Sequence, residues 1–466
     1  MKVPEAEWPA KTTALFADLY ELTMMQAYLR EGLTAKSVFS LFPRRLPPAR
    51  NYLIACGLET VLEFLEQFRL GRDEIAYLAT LKLFTPDFLG WLRGFRFTGD
   101  VYAVPEGTPV FGNEPLVEIV APLAEGQYFE TLVMNQIHLQ TLLASKASRV
   151  VAAARGRKVI DFGARRMHGT EAATKAARAF YIAGVHATSN LAAGHAFGIP
   201  VAGTMGHSYV QAHETEGDAY RAFAGIYPET VLLIDTYDTI EGAKRVIELA
   251  RAQGSDFRVS AVRLDSGDLA ALARGVRQLL DEAGLQRMEI VASGGLDEAE
   301  IEQLVESGAP IDSFGVGTSM GVSDDCPALD IAYKLTEYNG TGRLKLSTGK
   351  AVLPGQKQVF RRAEAGQSTG DEIARTGETR PGSPLLQCVM KNGRRVREAE
   401  PIAALRERAR LCLARLPPAV LSFAPATPGY PVGVSAELQE FDRQVRREIA
   451  QKQQAGRPGK MAGRQT

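Results

Sequence analysis

The chain has 466 residues, of which 45% are hydrophobic and 8% aromatic, a composition typical of a well-packed globular protein. Lysine plus arginine and aspartate plus glutamate each number 54, so the formal net charge is zero. This balance gives no support to binding of nucleic acid or of a membrane surface through overall charge. Phosphate binding would instead require a local site. The length exceeds that of one ordinary domain, although a barrel with additions could absorb most of it.

The cysteines are widely spaced and form no CxxC pair, which argues against a zinc knuckle and a disulfide framework. They are Cys56, Cys326, Cys388 and Cys412. The first ten residues, MKVPEAEWPA, lack the apolar core of a secretory signal, and no apolar run approaches the length of a membrane span. We therefore expect a cytoplasmic protein.

The first third of the chain is predicted to contain helices and a small antiparallel sheet. Apolar residues at helical spacing predict helices over 16–32, 58–71 and 73–84, and one or two long helices over 130–156. Between them, residues 97–123 are rich in β-branched residues and carry PEG and NEP turns, a pattern typical of short strands.

From about Lys158 the pattern changes to strand-like runs, nearly all followed by a helical pattern. The runs cover 158–163, 199–205, 231–236, 257–264, 288–293 and 311–317, and one long alanine-rich helical pattern separates the first two. Such alternation predicts a parallel sheet, open or closed into a barrel. A β/α barrel needs about eight strands, so two would have to be irregular or come from flanking sequence.

The last part of the chain loses this alternation. Residues 343–362 and 384–396 are predicted to form hairpins that could join the N-terminal sheet, and the polar, basic tail 451–466 is predicted to be disordered. We therefore predict an N-terminal α/β domain over 1–145, a β/α barrel over 146–338, a C-terminal segment over 339–450 that packs on the N-terminal domain, and the tail.

Two predicted strands end in glycine-rich turns that each open a helix. These turns are Ser293-Gly294-Gly295 and Gly317-Thr318. Glycine allows close approach of the backbone to a ligand, and a helix start offers unpaired N–H groups, so the pair predicts a phosphate-binding site. The alternative is two ordinary strand-to-helix turns.

Polar side chains also end the other predicted strands. Arg263 and Asp265 lie on the same side of their strand and could bind an anion and a sugar diol, or form a simple ion pair. Phe162 and Arg165 could hold a flat anionic ring, although Phe162 could equally belong to the core. Thr204 is a further candidate for substrate binding. The motif LIDTYDT contains two aspartates, at positions 235 and 238, whose role is open between structure, a loop and metal-bound diphosphate.

His207 differs from the other histidines because it lies just past a strand end, in GTMGHS, among small neighbours. Small neighbours leave an imidazole accessible, as a nucleophile or proton carrier must be. The alternative is a loop histidine that makes a hydrogen bond. The chain has no GxxxxGK[ST] motif and no strand-linked GxGxxG, so any ATP would bind without the usual signature.

These motifs, in this order, resemble the nicotinate phosphoribosyltransferase family. The resemblance runs from about Thr13 to Arg362, through GDVYAVPEGTPVFGNEPL, DFGARRMHGTEAA, ATSNLAAGHAFGIPVAGTMGHSYVQAH, VRLDSGDL, VASGGLDE and FGVGTSMGVSDDCPALDIAYKL. It implies an α/β fold of the type II phosphoribosyltransferase class: an irregular β/α barrel plus an α/β domain built from both chain ends. It also implies an enzyme of NAD salvage that transfers the phosphoribosyl group from phosphoribosyl pyrophosphate to nicotinate. The reaction would be driven by ATP hydrolysis and would use Mg²⁺. The enzyme would be a homodimer with its active sites at the subunit interface.

The resemblance assigns roles to the candidate residues. It makes His207 the histidine phosphorylated by ATP, and places Phe162 and Arg165 against the pyridine ring, with Tyr20 closing the ring site from the neighbouring subunit. Arg263 and Asp265 would bind substrate, the latter at the ribose hydroxyls. The 5′-phosphate would lie on Ser293, Gly294, Gly295, Gly317 and Thr318.

Two positions refine the resemblance. Nicotinamide-using relatives carry an aspartate at the place of Ser189, and a serine can donate to a carboxylate that an aspartate would repel, so the acid is favoured over the amide. Gly206 stands where the family pattern has alanine, which adds backbone freedom before His207. The alternatives are a nicotinamide phosphoribosyltransferase and an inactive homologue that serves as a binding protein.

Overall fold

The structure is a computed structural model that describes residues 14–346 and 352–455. The chain divides into two compact units. The first takes its described residues from 1–138, 328–400 and 411–466, and the second is formed by 139–327 and 401–410. No helix among the described residues combines the length and the apolar character needed to cross a membrane.

The N-terminal part of the chain contains the helices and the small sheet predicted for it. Its elements are α1 (Leu19–Arg30), β1 (Lys36–Pro43), β2 (Leu53–Ile54), α2 (Leu58–Gln67), α3 (Arg72–Thr80), α4 (Pro86–Leu92), β3 (Asp100–Ala103), β4 (Pro109–Val110), β5 (Val117–Pro122), α5 (Leu123–Tyr128) and α6 (Glu130–Ala153). The start of α4 shows the local cause: Thr85 accepts a hydrogen bond from the Phe88 N–H, and proline occupies the first helical position.

The middle of the chain alternates strands with helices. Its elements are β6 (Lys158–Asp161), α7 (Thr170–Ile182), β7 (Ala187–Thr188), α8 (Leu191–Phe197), α9 (His207–Gln211), α10 (Glu216–Ile226), β8 (Val231–Leu233), α11 (Thr239–Gln253), β9 (Ala261–Leu264), α12 (Leu269–Glu282), β10 (Glu289–Ala292), α13 (Glu298–Glu306), β11 (Ser313–Val316) and α14 (Thr318–Val322). The predicted alternation holds except between β7 and β8, where α8, α9 and α10 follow one another.

The C-terminal part returns to antiparallel strands and ends in helices. Its elements are β12 (Ile331–Tyr338), β13 (Thr341–Gly342), β14 (Lys357–Glu364), β15 (Gln367–Arg375), β16 (Ser383–Pro384), β17 (Gln387–Lys391), β18 (Arg394–Arg395), α15 (Ile402–Leu413), α16 (Pro418–Leu421), β19 (Val432–Val434) and α17 (Ala436–Ala455). Helix α17 continues five residues into the segment predicted as a disordered tail. The rest of that tail, residues 347–351 and the first thirteen residues lie outside the described part of the chain.

The first unit is built on a seven-stranded sheet with strand order β13-β12-β1-β5-β3-β17-β18. Strands from the beginning and the end of the chain alternate in it, since β1 pairs with β12 and β3 pairs with β17, both antiparallel. The predicted hairpin at 384–396 thus joins the N-terminal sheet. The hairpin predicted at 343–362 is not observed within the described residues of that range. Its last residues belong to β14, which pairs with the following strand β15 in a separate four-stranded sheet.

The second unit contains a curled six-stranded sheet with strand order β7-β6-β11-β10-β9-β8, in which every pairing is parallel. Apolar runs such as 288–293 become its buried strands, as predicted. With the first unit drawn from both chain ends, this is the irregular β/α fold of type II phosphoribosyltransferases with a second α/β domain.

One predicted strand and one predicted helix are wrong. The run 199–205 forms only a bridge from Val201 to Thr188, and the alanine-rich pattern is two helices separated by β7. Gly184 ends the first helix with φ +115°, and the Val185 N–H bonds back to Phe180 O. Asn190 then caps the second helix through its side chain. These end signals override the helical spacing.

Candidate active site

The site lies at the carboxyl edge of the six-stranded sheet. Because all its strands are parallel, the residues that follow them meet at one edge. Hydrogen bonds and ring contacts of this edge bring together residues that follow β6, β8, β9 and β10. These residues are Phe162, Asp235, Thr236, Asp265 and Ser293, together with Arg263 of β9 and His207 of α9.

Asp265 has the most connections in this group. Its Oδ1 accepts a hydrogen bond from Ser293 Oγ at 2.5 Å, and its Oδ2 lies 3.8 Å from Nε2 of His207. Its backbone N–H donates to Asp235 Oδ2 at 2.9 Å. The carboxylate is thus fixed from one side and presents its second oxygen to the imidazole.

The two aspartates of LIDTYDT have separate tasks. Asp238 caps α11, since its Oδ1 accepts from the Glu241 N–H at 2.8 Å. Asp235 faces the site: its Oδ2 also accepts from Ser266 Oγ at 2.7 Å, and its Oδ1 is buried without a hydrogen-bond partner in the described part of the chain. A buried carboxylate oxygen with no partner is costly, and this points to a ligand.

His207 is the first residue of α9, with a side chain 41% exposed. Its Nδ1 lies 3.2 Å from Thr236 Oγ1, so Thr236 orients the ring. The preceding Gly206 has ordinary extended backbone, φ −104° and ψ 163°, and an added Cβ would meet only Ser208 Oγ at 3.8 Å. The glycine therefore imposes no special geometry on the histidine. Thr236 lies in the LIDTYDT motif, but no role is predicted for its side chain from the sequence.

Phe162 and Arg263 form the second half of the site. The Phe162 ring packs on Gly315, where an added Cβ would lie 2.4 Å from Cε2 of the ring, and Cζ of Arg263 is 5.8 Å from the ring centroid. Arg263 donates through Nη2 to Met205 O at 3.3 Å, while its Nε is buried without a partner among the described residues.

Burial lowers the pKa of Arg263, whereas the charges of Asp265 and Asp235 raise it and that of Arg165 lowers it further. Arg165 itself is exposed, in the 3-10 turn Ala164–Arg166 directly after Phe162. Two guanidinium groups therefore act on the same region beside an aromatic ring. Such a region suits a flat anion or a phosphate.

Ser189 and Thr204 occupy different surroundings. Ser189 follows β7 with an exposed side chain, and its N–H donates to Asp161 O at 2.8 Å. Asp161 is buried and holds the Thr188 hydroxyl at 2.7 Å, which fixes this strand end. The Thr204 hydroxyl donates to Val231 O at 2.6 Å, so this side chain fastens the chain next to β8.

Tyr20 lies in the first unit as the second residue of α1, with a side chain 43% exposed. Partial burial and the neighbouring carboxylate of Glu130, which also accepts its hydrogen bond, raise the pKa of this phenol. Tyr20 thus remains protonated at neutral pH and can act as an aromatic surface.

The two glycine turns differ in what they offer a phosphate. Gly294 and Gly295 have φ values of +92° and +72°. The following helix, α13, is closed to a ligand because Asp297 accepts the N–H groups of Ala299 and Glu300, so the expectation of unpaired groups is wrong there. The sequence displayed this cap as an Asp-x-x-Glu capping box. The Ser293 hydroxyl is likewise directed to Asp265.

The second turn is more open. Helix α14 begins at Thr318, directly after Gly317, which as N-cap provides no side-chain hydrogen bond. Its first backbone N–H groups therefore have no capping side chain from that residue. The phosphate-binding prediction thus rests on the backbone of Gly294, Gly295, Gly317 and Thr318.

The chain is similar to known proteins over most of its length. Residues 15–138 match the nicotinate phosphoribosyltransferase N-terminal domain, residues 157–373 the nicotinate phosphoribosyltransferase family, and residues 375–442 the C-terminal domain of these proteins. Nicotinate phosphoribosyltransferase pncB2 of Mycobacterium tuberculosis (strain H37Rv) is 55% identical over 91% of this chain and 92% of its own length. Nicotinate phosphoribosyltransferase of Bacillus subtilis (strain 168) is 40% identical over 78% and 76%.

Solved structures share the fold. Human nicotinic acid phosphoribosyltransferase superposes with a TM-score of 0.84 at 27% identity, covering 92% of this chain and 100% of that chain. Nicotinate-nucleotide pyrophosphorylase of Pyrococcus furiosus superposes with a TM-score of 0.71 at 24% identity, covering 86% and 95%, which concerns the fold alone.

Proposed function

The chain belongs to the nicotinate phosphoribosyltransferase family, and from this premise we propose that it forms nicotinate mononucleotide and pyrophosphate from nicotinate and phosphoribosyl pyrophosphate. We further propose that ATP hydrolysis through a phosphohistidine is coupled to this transfer. One observation carries the proposal: at one sheet edge, His207 faces Asp265 at 3.8 Å while Arg263 lies over the Phe162 ring. The two reactions need an accessible imidazole, a fixed carboxylate, and a guanidinium group beside an aromatic ring.

The transfer requires positioning rather than a base. The pyridine nitrogen of nicotinate already carries a free lone pair, which attacks C1 of the ribose as pyrophosphate departs. Phe162 would stack on the pyridine ring and Arg165 would pair with its carboxylate, while Asp265 would accept from the ribose hydroxyls. Arg263 would counter charge on the substrate. Fixed groups of this kind lower the barrier by orientation and by electrostatic stabilisation.

ATP coupling would use His207. A ring nitrogen attacks the γ-phosphorus of ATP, the bond to the β-phosphate oxygen breaks, and ADP leaves. Thr236 at Nδ1 supports this role, since it fixes the ring while Nε2 faces Asp265. The phosphorylated state would bind phosphoribosyl pyrophosphate more tightly, and hydrolysis of the phosphohistidine would complete the cycle.

The carboxylates present fit Mg²⁺. Asp235 has a buried oxygen without a partner in the described part of the chain, and it is hydrogen-bonded to the backbone of Asp265. Magnesium usually binds through one or two carboxylates and completes its shell with substrate phosphates and water. Asp235 would hold the ion. When bound, it supplies charge neutralisation to the pyrophosphate.

Ser189 supports nicotinate over nicotinamide. An exposed hydroxyl beside the strand end can donate to a carboxylate, whereas the aspartate of nicotinamide-using relatives would repel it. A nicotinamide phosphoribosyltransferase remains the alternative reading of the same site. An inactive binding protein would not need the Asp265–His207 pairing.

Tyr20 would close the pyridine site from the neighbouring subunit of a homodimer. Its exposure on α1 leaves the ring available for such a contact. The same arrangement would make each active site depend on two chains. We place the enzyme in the cytoplasm, in the salvage route to NAD.

The decisive experiment is a product assay with purified protein, nicotinate, phosphoribosyl pyrophosphate, ATP and Mg²⁺. We expect nicotinate mononucleotide, and faster formation with ATP than without it. Parallel reactions with limiting nicotinamide separate the two substrates. Absence of any mononucleotide would refute the enzyme assignment, and preference for the amide would replace it with the alternative.

A further inference from the structure

A buried lysine joins three carboxylates in the second unit. The side chain of Lys146, on α6, is 1% exposed, and its Nζ lies 2.6 Å from Glu298 Oε2. The same Nζ lies 3.0 Å from Asp324 Oδ1 and 3.1 Å from Asp325 Oδ1. An ammonium group has three N–H donors, so one lysine can serve three carboxylates at once.

The three carboxylates come from the two segments that follow the glycine turns. Glu298 is the first residue of α13, three positions after Gly295, and the aspartates follow α14 after one intervening residue. Asp324 and Asp325 are held in a compact turn, since Ser323 Oγ donates to Cys326 O at 2.7 Å. Lys146 therefore joins the start of α13 and the residues that follow α14 to one point on α6.

The starts of the two segments are also joined directly. Ser319, in the first turn of α14, donates through Oγ to Leu296 O at 2.5 Å, and this contact is buried. Arg149, one turn further along α6 than Lys146, holds the second oxygen of Glu298 at 2.9 Å. The spacing between the two glycine turns is thus held by the direct contact between the segment starts and by the Lys146 cluster.

Lys146 and Glu298 stay charged at neutral pH. Burial acts to lower the pKa of Lys146, but its carboxylate partners outweigh burial and raise the pKa. Lys146 and Arg149 likewise overcome burial and lower the pKa of Glu298. A buried pair of this kind adds little net stability compared with apolar packing, so its value lies in fixing one geometry.

We propose that Lys146 is a positioning residue for the phosphoribosyl end of the active site, which acts by holding the turns at Gly294-Gly295 and Gly317-Thr318 at the spacing that a 5′-phosphate requires. This inference rests on the proposed function. It assigns Lys146 no contact with substrate. Loss of the cluster should weaken binding of phosphoribosyl pyrophosphate and leave the pyridine site, built after β6, largely intact.

The test compares Lys146→Met with the double variant Asp324→Asn/Asp325→Asn. The double variant is less disruptive because it keeps the buried lysine and its pairing with Glu298. We expect the KM for phosphoribosyl pyrophosphate to rise about tenfold in the first and about threefold in the second, because small misplacements of binding groups weaken productive binding. The KM for nicotinate should stay within about twofold. Lys146→Arg should restore part of the loss.

The matched control is Arg155→Met. Arg155 pairs with Glu306 at 2.6 Å on the surface, at the opposite end of α13 from Glu298, so its loss should leave both KM values unchanged. Folding is checked by circular dichroism. A folded double variant with the wild-type KM for phosphoribosyl pyrophosphate, or with equal increases for both substrates, would overturn the inference.

A direct binding measurement separates this inference from the proposed function. If wild-type protein forms no mononucleotide, the proposed function fails. Calorimetric titration with phosphoribosyl pyrophosphate then still compares wild type with the double variant. A weaker affinity in the variant supports the positioning role, and equal affinities refute it.

Discussion

Ser293 Oγ donates a hydrogen bond of 2.5 Å to Asp265 Oδ1, so one hydroxyl sets the orientation of the carboxylate that faces the imidazole. In Ser293→Ala the carboxylate loses this anchor, and we expect kcat/KM for phosphoribosyl pyrophosphate to fall about tenfold. Steady-state kinetics measure the effect. Ser260→Ala, just before β9 at the other edge of the same sheet, serves as the control; equal effects of the two changes would contradict the role of Ser293.

His207→Ala should abolish ATP hydrolysis and its coupling to transfer, while slow transfer without ATP persists. The reason is that His207 would carry the phosphate, whereas the pyridine and phosphoribosyl sites do not require the imidazole. ADP and mononucleotide release are measured together. His213→Ala is the control, since this imidazole bonds to Tyr209 O and has no assigned role. Coupled ATP turnover in the His207 variant would disprove the phosphohistidine.

Ser189→Asp should lower kcat/KM for nicotinate about tenfold or more, because a new carboxylate repels the substrate carboxylate by roughly 1.4 kcal/mol or more at this exposed position. Ser189→Ala separates loss of a donor from gain of charge and should have a smaller effect. Competition between nicotinate and nicotinamide gives the measurement. An unchanged preference for the acid in the aspartate variant would remove Ser189 from substrate selection.

Glu21 makes the stability of the first unit depend on pH. Burial raises its pKa to about 7, although hydrogen bonds from Thr131 act to lower it. The folded chain therefore holds a proton that the unfolded chain loses near pH 4.5, so this contribution is present at low pH and is lost as pH rises toward 7.

Between pH 5 and pH 8 the wild-type protein should lose about 2 to 3 kcal/mol of stability relative to Glu21→Gln, which cannot titrate. Urea denaturation followed by tryptophan fluorescence gives the measurement. Glu63→Gln, at an exposed position of α2, should behave as wild type. Parallel pH profiles of wild type and the Glu21 variant would contradict the assignment.

Gly206→Ala should preserve activity within about twofold and change stability by less than about 1 kcal/mol. The backbone at this position is already allowed for alanine, and the added Cβ has 3.8 Å to its nearest neighbour. A large loss of ATP coupling in this variant would show that the freedom of glycine matters before His207. Assays of ADP release and thermal denaturation provide the comparison.

The sequence predicted the parts of the site that follow regular strands. Arg263 and Asp265 end β9, and Phe162 follows β6, because apolar runs bounded by polar residues identify such strands. The strand β7 is not predicted because it has only two residues between helices. Gly184 and Asn190 nevertheless mark the end of α7 and the start of α8. Short elements of this kind depend on tertiary pairing more than on local pattern.

Contacts between distant segments could not be predicted. The pairing of Lys146 with Glu298 joins residues 152 positions apart, and no local spacing reports it. The cap at Asp297 is different, since its Asp-x-x-Glu spacing is a local pattern of the sequence. The partners of buried polar groups can be identified only from the fold, whereas a capping box can be identified from the sequence.

Gly294 limits how this site can diversify. A Cβ there would lie 1.7 Å from the carbonyl oxygen of Asp265, so the turn after β10 and the aspartate after β9 share one close backbone contact. A side chain at this position would displace the aspartate that the imidazole faces. In a library of random substitutions, position 294 should therefore tolerate glycine alone, and changes in phosphate recognition must arise from other positions of the two turns.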